Sequence, residues 1–120
     1  YAVKFRHDGR IQSTGQPWEG PYAPSIDQVI QHVGEGFGNA CGAILFSGMG
    51  NDGAIAAPRL AASGCPVWAQ SADTCAVSSQ PDSTRETGCV SYSGSPEQLA
   101  RQLVERLRRE LKAEVKKPGA

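Results

Sequence analysis

The stretch Cys41 to Gly53, Cys-Gly-Ala-Ile-Leu-Phe-Ser-Gly-Met-Gly-Asn-Asp-Gly, constrains the fold more than any other. Ala43 to Phe46 is an unbroken apolar run, the right length for a strand and too short for a core helix. Lack of polar alternation suits a strand covered on both faces, as in a parallel sheet. Ser47, Gly48, Gly50 and Gly53 end the run abruptly, and Ala54 to Ala62 reads as a helix. A buried strand therefore enters a glycine-rich turn that carries one carboxylate, Asp52. In open α/β sheets, sites gather beyond the carboxyl ends of strands. Asp52 is the first candidate functional residue.

The flanking segments extend the pattern. Val3 and Phe5 alternate with Lys4 and Arg6 before Asp8-Gly9, a hairpin signal of the type I′ kind. Gln12 to Pro24 reads as an extended surface connection, pinned by Trp18 and Tyr22. Ser25-Ile26-Asp27-Gln28 has capping-box spacing, and Ile26, Val29, Ile30 and Val33 form one apolar face. That helix is expected to stop at Gly34 and Gly36. Pro66 to Gln70 reads as a second buried strand, Pro81 as the opening of a short helix that ends at Gly88, and Cys89 to Tyr92 as a third strand. Ser95-Pro96-Glu97-Gln98 is a second capping box. The long helix it opens reaches Val115, with Ala100, Leu103, Val104, Leu107 and Leu111 as its buried stripe. Lys116 to Ala120 reads as a disordered tail. Hairpin, helix, strand, helix, strand, helix, strand, helix implies parallel strands joined by right-handed crossovers.

Composition narrows the function. The 120 residues suit one domain, and 12 basic side chains balance 12 acidic ones. That balance removes the usual electrostatic argument for nucleic acid. No apolar run approaches membrane-spanning length. Cys41, Cys65, Cys75 and Cys89 lack the C-x-x-C spacing of zinc sites and read as buried free thiols in a cytoplasmic protein. The chain opens on Tyr1-Ala2-Val3-Lys4-Phe5, as if within a strand, and reads as a fragment of a longer protein.

The turn itself admits three readings on spacing. In one, it is a tight connection in which Asp52 caps the helix that follows. In another, Gly48, Gly50 and Gly53 fit G-x-G-x-x-G, with Asp73 about 20 positions on, as in nucleotide-binding α/β domains. In the third, Asp52 is a triad carboxylate that orients a histidine.

The run Phe46 to Ala54, Phe-Ser-Gly-Met-Gly-Asn-Asp-Gly-Ala, resembles the Thr/Ser-Gly-Met-Gly-x-Asp-Gly-Ala signature of CheB-type protein-glutamate methylesterases of bacterial chemotaxis. Pro24-Ser-Ile-Asp27 is similar to the family's Pro-Ser-Val-Asp. Leu60 to Gln70 follows its Leu-x-x-Ala-Gly-x-x-x-x-Ala-Gln, with Ser63 in the Ala position. Ala72-Asp-Thr-Cys75 is similar to its Glu-Ala-Ser/Thr-Cys. Where the family continues Val-Val-Phe-Gly-Met-Pro, this chain has Ala76-Val-Ser-Ser-Gln-Pro81. The likeness covers about Val3 to Leu107.

The resemblance implies a doubly wound, mostly parallel α/β sheet with flanking helices. Residues 1–115 would be the C-terminal half of the catalytic domain, with the hairpin at its start. It implies hydrolysis of glutamate γ-methyl esters, and deamidation of glutamine, on the cytoplasmic helices of chemoreceptors. The triad runs Ser, His, Asp along the family's chain, and Asp52 matches the Asp. Met49 matches the residue beside the oxyanion site, and Gly48 and Gly50 shape that wall. The Ser and His motifs lie upstream of the hairpin in the family and are not in these residues. His32 and His7 read as surface residues, and Ser47 lacks a histidine beside it. No metal or cofactor is implied, and a receiver domain upstream is compatible. A non-catalytic regulatory module of the same fold is the alternative. Without its upstream strands the sheet would have an open edge, and the chain is expected either to be accompanied by its other half or to self-associate through that edge.

Overall fold

The computed structural model describes residues 1–6, 8–20 and 24–116. Two short strands, β1 (Val3–Phe5) and β2 (Ile11–Ser13), pair antiparallel with Phe5 opposite Ile11. Gly9 takes φ 89° and no other kind of residue has positive φ among the described ones, so Asp8 does not adopt the backbone of a type I′ turn. Instead the Gly9 N–H donates to Arg6 O and the Arg6 N–H to Arg10 O. That is a three-residue connection closed by a left-handed glycine. Tyr22 and His7 lie outside the described residues; Trp18 is half-buried.

Helix α1 spans Ile26–Phe37. It passes through Gly34 and Gly36, where the sequence pattern places its end, and stops at Gly38. The reason is packing: a Cβ on Gly36 would stand 2.2 Å from Phe5 O, so the glycine lets β1 lie against the helix. Ser25 Oγ accepts the Gln28 N–H at 3.2 Å, while Gln28 Oε1 accepts from Glu19 N instead of closing the capping box.

Three parallel strands follow in the order β3 (Ala43–Leu45), β4 (Val67–Gln70), β5 (Tyr92–Gly94). Ala43 stands opposite Val67, and Trp68 opposite Tyr92. The third strand lies beyond Cys89 and Val90, where the apolar run places it. Helix α2 (Ala56–Ala62) links β3 to β4 and begins two residues later than the sequence suggests. A 3₁₀ turn (Ala72–Thr74) and helix α3 (Ser79–Glu86) link β4 to β5. Pro81 is the third residue of α3, still within the first turn, where an N–H has no partner to lose. Arg85 of α3 donates to Gln70 O at 2.7 Å and hydrogen-bonds Asp82, holding that carboxyl below the usual carboxylate range.

Alternation sorts the strands. Leu45, Val67 and Ala69 face Ile30, Ala56, Ala57 and Leu60 of α1 and α2. Ile44 and Trp68 line the opposite face with Leu103 and Leu107 of helix α4 (Pro96–Lys116). The sheet thus carries helices on both faces, the doubly wound arrangement implied by the sequence. Within α4 the second capping box closes fully: Gln98 N donates to Ser95 Oγ and Ser95 N to Gln98 Oε1.

The apolar stripe of α4 is not buried as expected. Leu99, outside that stripe, is buried, whereas Ala100 is exposed and Leu103, Val104, Leu107 and Leu111 are 40, 46, 55 and 63% exposed. A helix of 21 residues is about 30 Å long, against about 10–14 Å for strands this short, so its distal half overhangs the sheet. It runs to Lys116, and residues 117–120 lie outside the described ones. All four cysteines are free thiols, of which only Cys65 is buried.

Candidate active site

The site is assembled at the carboxyl end of β3. There the Ser47 N–H donates to Oε1 of buried Gln70 at 2.8 Å, which ties the end of β3 to β4. The chain then turns through Gly48 to Gly53. Gly50 and Gly53 take φ of 106° and 111°, a backbone region costly for side chains with a Cβ. Helix α3 holds the other side of this turn. The Gly48 N–H donates to Val77 O at 2.9 Å, the Gln80 N–H to Gly48 O at 3.0 Å, and the Gly50 N–H to Ser79 Oγ at 3.0 Å. Met49, between the glycines, is 82% exposed.

Asp52 is 6% exposed. Its Oδ2 accepts the Ile26 N–H at 2.5 Å, and its Oδ1 accepts the Asp27 N–H at 3.1 Å. Asp52 therefore caps α1, the preceding helix, rather than α2. The α2 cap comes from Asp27, whose Oδ1 accepts the Ile55 N–H at 3.1 Å and the Ala56 N–H at 2.8 Å. The two helix starts, each with positive partial charge, hold each other's aspartate. A cavity of about 490 Å³ opens between them, lined by Asp52, Asp27, Asn51, Gln31 and Glu19 among others. A carboxylate has about four acceptor sites, and two N–H groups leave capacity for a further donor.

The arrangement counts against a nucleotide phosphate at the turn. The N–H groups that open α2, which a pyrophosphate would need, already serve the Asp27 carboxylate. Gly48 and Gly50 donate to α3 and its approach.

Other candidates lie apart from Asp52. Ser47 Oγ donates to Val77 O and accepts the Val77 N–H, both at 3.1 Å. His32 is half-buried within α1 rather than on the surface, its Nδ1 3.2 Å from Glu35 Oε2. Burial, then the hydrogen bond and charge of Cys65 3.8 Å away, push the Cys41 thiol up to about 11. A thiol so rarely ionised is a poor nucleophile. Among the described residues no group of three or more His, Cys, Asp and Glu could hold a metal ion.

Asp27, Gln70 and Gln80 are the residues that pattern reading did not single out by role. Asp27 was visible only within the capping box and the Pro-Ser-Ile-Asp segment, with no role of its own. Gln80, 4% exposed, packs beneath the turn, and its Nε2 finds no hydrogen-bond partner among the described residues.

Residues 1–117 match the family model described as CheB methylesterase. A protein-glutamate methylesterase/protein-glutamine glutaminase of Burkholderia lata is 36% identical over 104 residues, 87% of this chain and 31% of the relative. A relative of the same description from Burkholderia orbicola is 38% identical over 100 residues, 82% of this chain and 29% of its own length. The chain thus spans about a third of the length of these curated relatives. The crystal structure of the Thermotoga maritima CheB methylesterase catalytic domain superimposes with a TM-score of 0.65 at 28% identity, covering 68% of this chain and 43% of that one.

Proposed function

The chain belongs to the CheB methylesterase family, and on that premise we propose that it supplies the carboxylate-bearing part of a protein-glutamate methylesterase active site. The observation that carries the reading is Asp52: a buried carboxylate at the end of a parallel strand, fixed by two backbone N–H groups and bordering a cavity. Its role is to accept the N–H of a histidine ring, fix the tautomer and stabilise the imidazolium. The histidine and a serine nucleophile come from a part of the domain outside these residues. The serine hydroxyl attacks the γ-carbonyl of a methylated glutamate, the histidine takes its proton and returns it to the departing methanol, and water then releases the free glutamate. Exposed Met49 (82%), between Gly48 and Gly50, borders the oxyanion site. Deamidation of glutamine follows the same steps with ammonia as leaving group.

The substrate is the cytoplasmic helical domain of methylated chemoreceptors, and the reading is compatible with a receiver domain upstream. A cytoplasmic location fits that substrate. No helix among the described residues is long and apolar enough to cross a membrane.

The test is methanol release from a methylated receptor. The complete protein is expected to release methanol, and this 120-residue chain alone to stay at the buffer blank. Esterase activity of the chain well above blank would place the nucleophile among these residues and overturn the assignment.

A further inference from the structure

We propose that Asp27 is a positioning residue for Asp52, acting through the exchange of caps between α1 and α2; the inference rests on reading Asp52 as the triad carboxylate. Three hydrogen bonds make the exchange reciprocal. The Asp27 N–H holds Asp52 Oδ1, and the Asp27 carboxylate holds the Ile55 and Ala56 N–H groups three and four residues past Asp52. The segment from Asp52 to Ala56 is thereby stapled at both ends to the first turn of α1.

The staple matters because Asp52 has a competing partner. Asp52 stands four residues before Ala56, the first residue of α2, and is the nearest acid in the chain before those N–H groups. Helix α2 has no other cap: Ile55 stands at its N-cap without a side-chain acceptor, and its first turn contains no acid. Asp27 occupies those N–H groups, so Asp52 remains turned toward α1 and the cavity. With Asp27 gone, the bare Ile55 and Ala56 N–H groups attract the Asp52 carboxylate. The turn that must bend to allow this contains Gly50 and Gly53, both already in glycine-favoured backbone. The carboxylate then swings toward α2 and away from the histidine it orients.

This account separates positioning from simple loss of a cap. In the complete enzyme, Asp27→Ala is expected to lower kcat by about 10- to 100-fold with KM little changed. Withdrawing a negative charge lowers the pKa of the partner histidine. The acidic limb of the pH–kcat/KM profile therefore moves to lower pH. Asp27→Asn keeps an acceptor oxygen for the two N–H groups and is expected to stay within several-fold of the parent, with the limb in place. A folded Asp27→Ala enzyme with parental kcat and an unmoved limb overturns the proposal, as does an Asn variant as impaired as the Ala one. If Asp52→Asn itself leaves turnover intact, the triad reading falls and the staple loses its catalytic meaning. If Asp52→Asn abolishes turnover while Asp27→Ala does not reduce it, the triad reading stands and only the staple is wrong.

Discussion

Gln80 supports the glycine turn while burying a donor that finds no partner among the described residues. Its backbone N–H and Cβ support Gly48, and its amide nitrogen is buried beside Gly53. A buried donor left unpaired costs about 1–3 kcal/mol. Methionine fills similar volume without a donor. Gln80→Met is therefore expected to stabilise this chain by about 1 kcal/mol or more, read as a higher urea midpoint. A lower midpoint would mean that the amide has found a partner in solution. At this scale the sequence was only partly informative. Asp52 could be located from a strand followed by a glycine turn. Which helix it caps could not, because that depends on α1 lying alongside α2. Gly34 and Gly36 misled for the same reason. Gly36 looks like a stop signal, yet α1 continues through it because Phe5 needs the space.

Elements were legible where their signals are local. The reciprocal Ser95–Gln98 box, the strand Ala43–Leu45 and the alternation of strand and helix all follow from short-range chemistry. The α4 stripe was not, because burial depends on what lies across from it, and α4 is longer than the strands it rests on. Strand β3 raises the same issue at its edge. It pairs with β4 on one side and with no strand on the other among the described residues. Its N–H and C=O groups on that side form a ready template for pairing, with the exposed leucines of α4 close by. The isolated chain is therefore expected to self-associate through β3. Sedimentation checks this: a dimer or larger species that dissociates on dilution fits, and a clean monomer across the concentration range does not.

At the scale of the whole molecule, the layout explains where chemistry can occur. Helices on both faces leave the carboxyl ends of the strands open, and β3 delivers Asp52 there. The turn is held by α3 on one side and α1 on the other, so its carboxylate is set by three elements rather than by the loop alone. Rigid support of this kind suits a residue that orients a catalytic base. The most direct check is ester turnover by the complete protein on a methylated chemoreceptor, with Asp52 and with Asn in its place. Asparagine keeps the shape and one acceptor oxygen but removes the charge that stabilises the imidazolium. The expected result is a folded protein whose kcat falls on the order of 10⁴-fold, by the serine-protease precedent. Unchanged turnover in a well-folded Asp52→Asn protein would contradict the account and leave Asp52 as a helix cap alone.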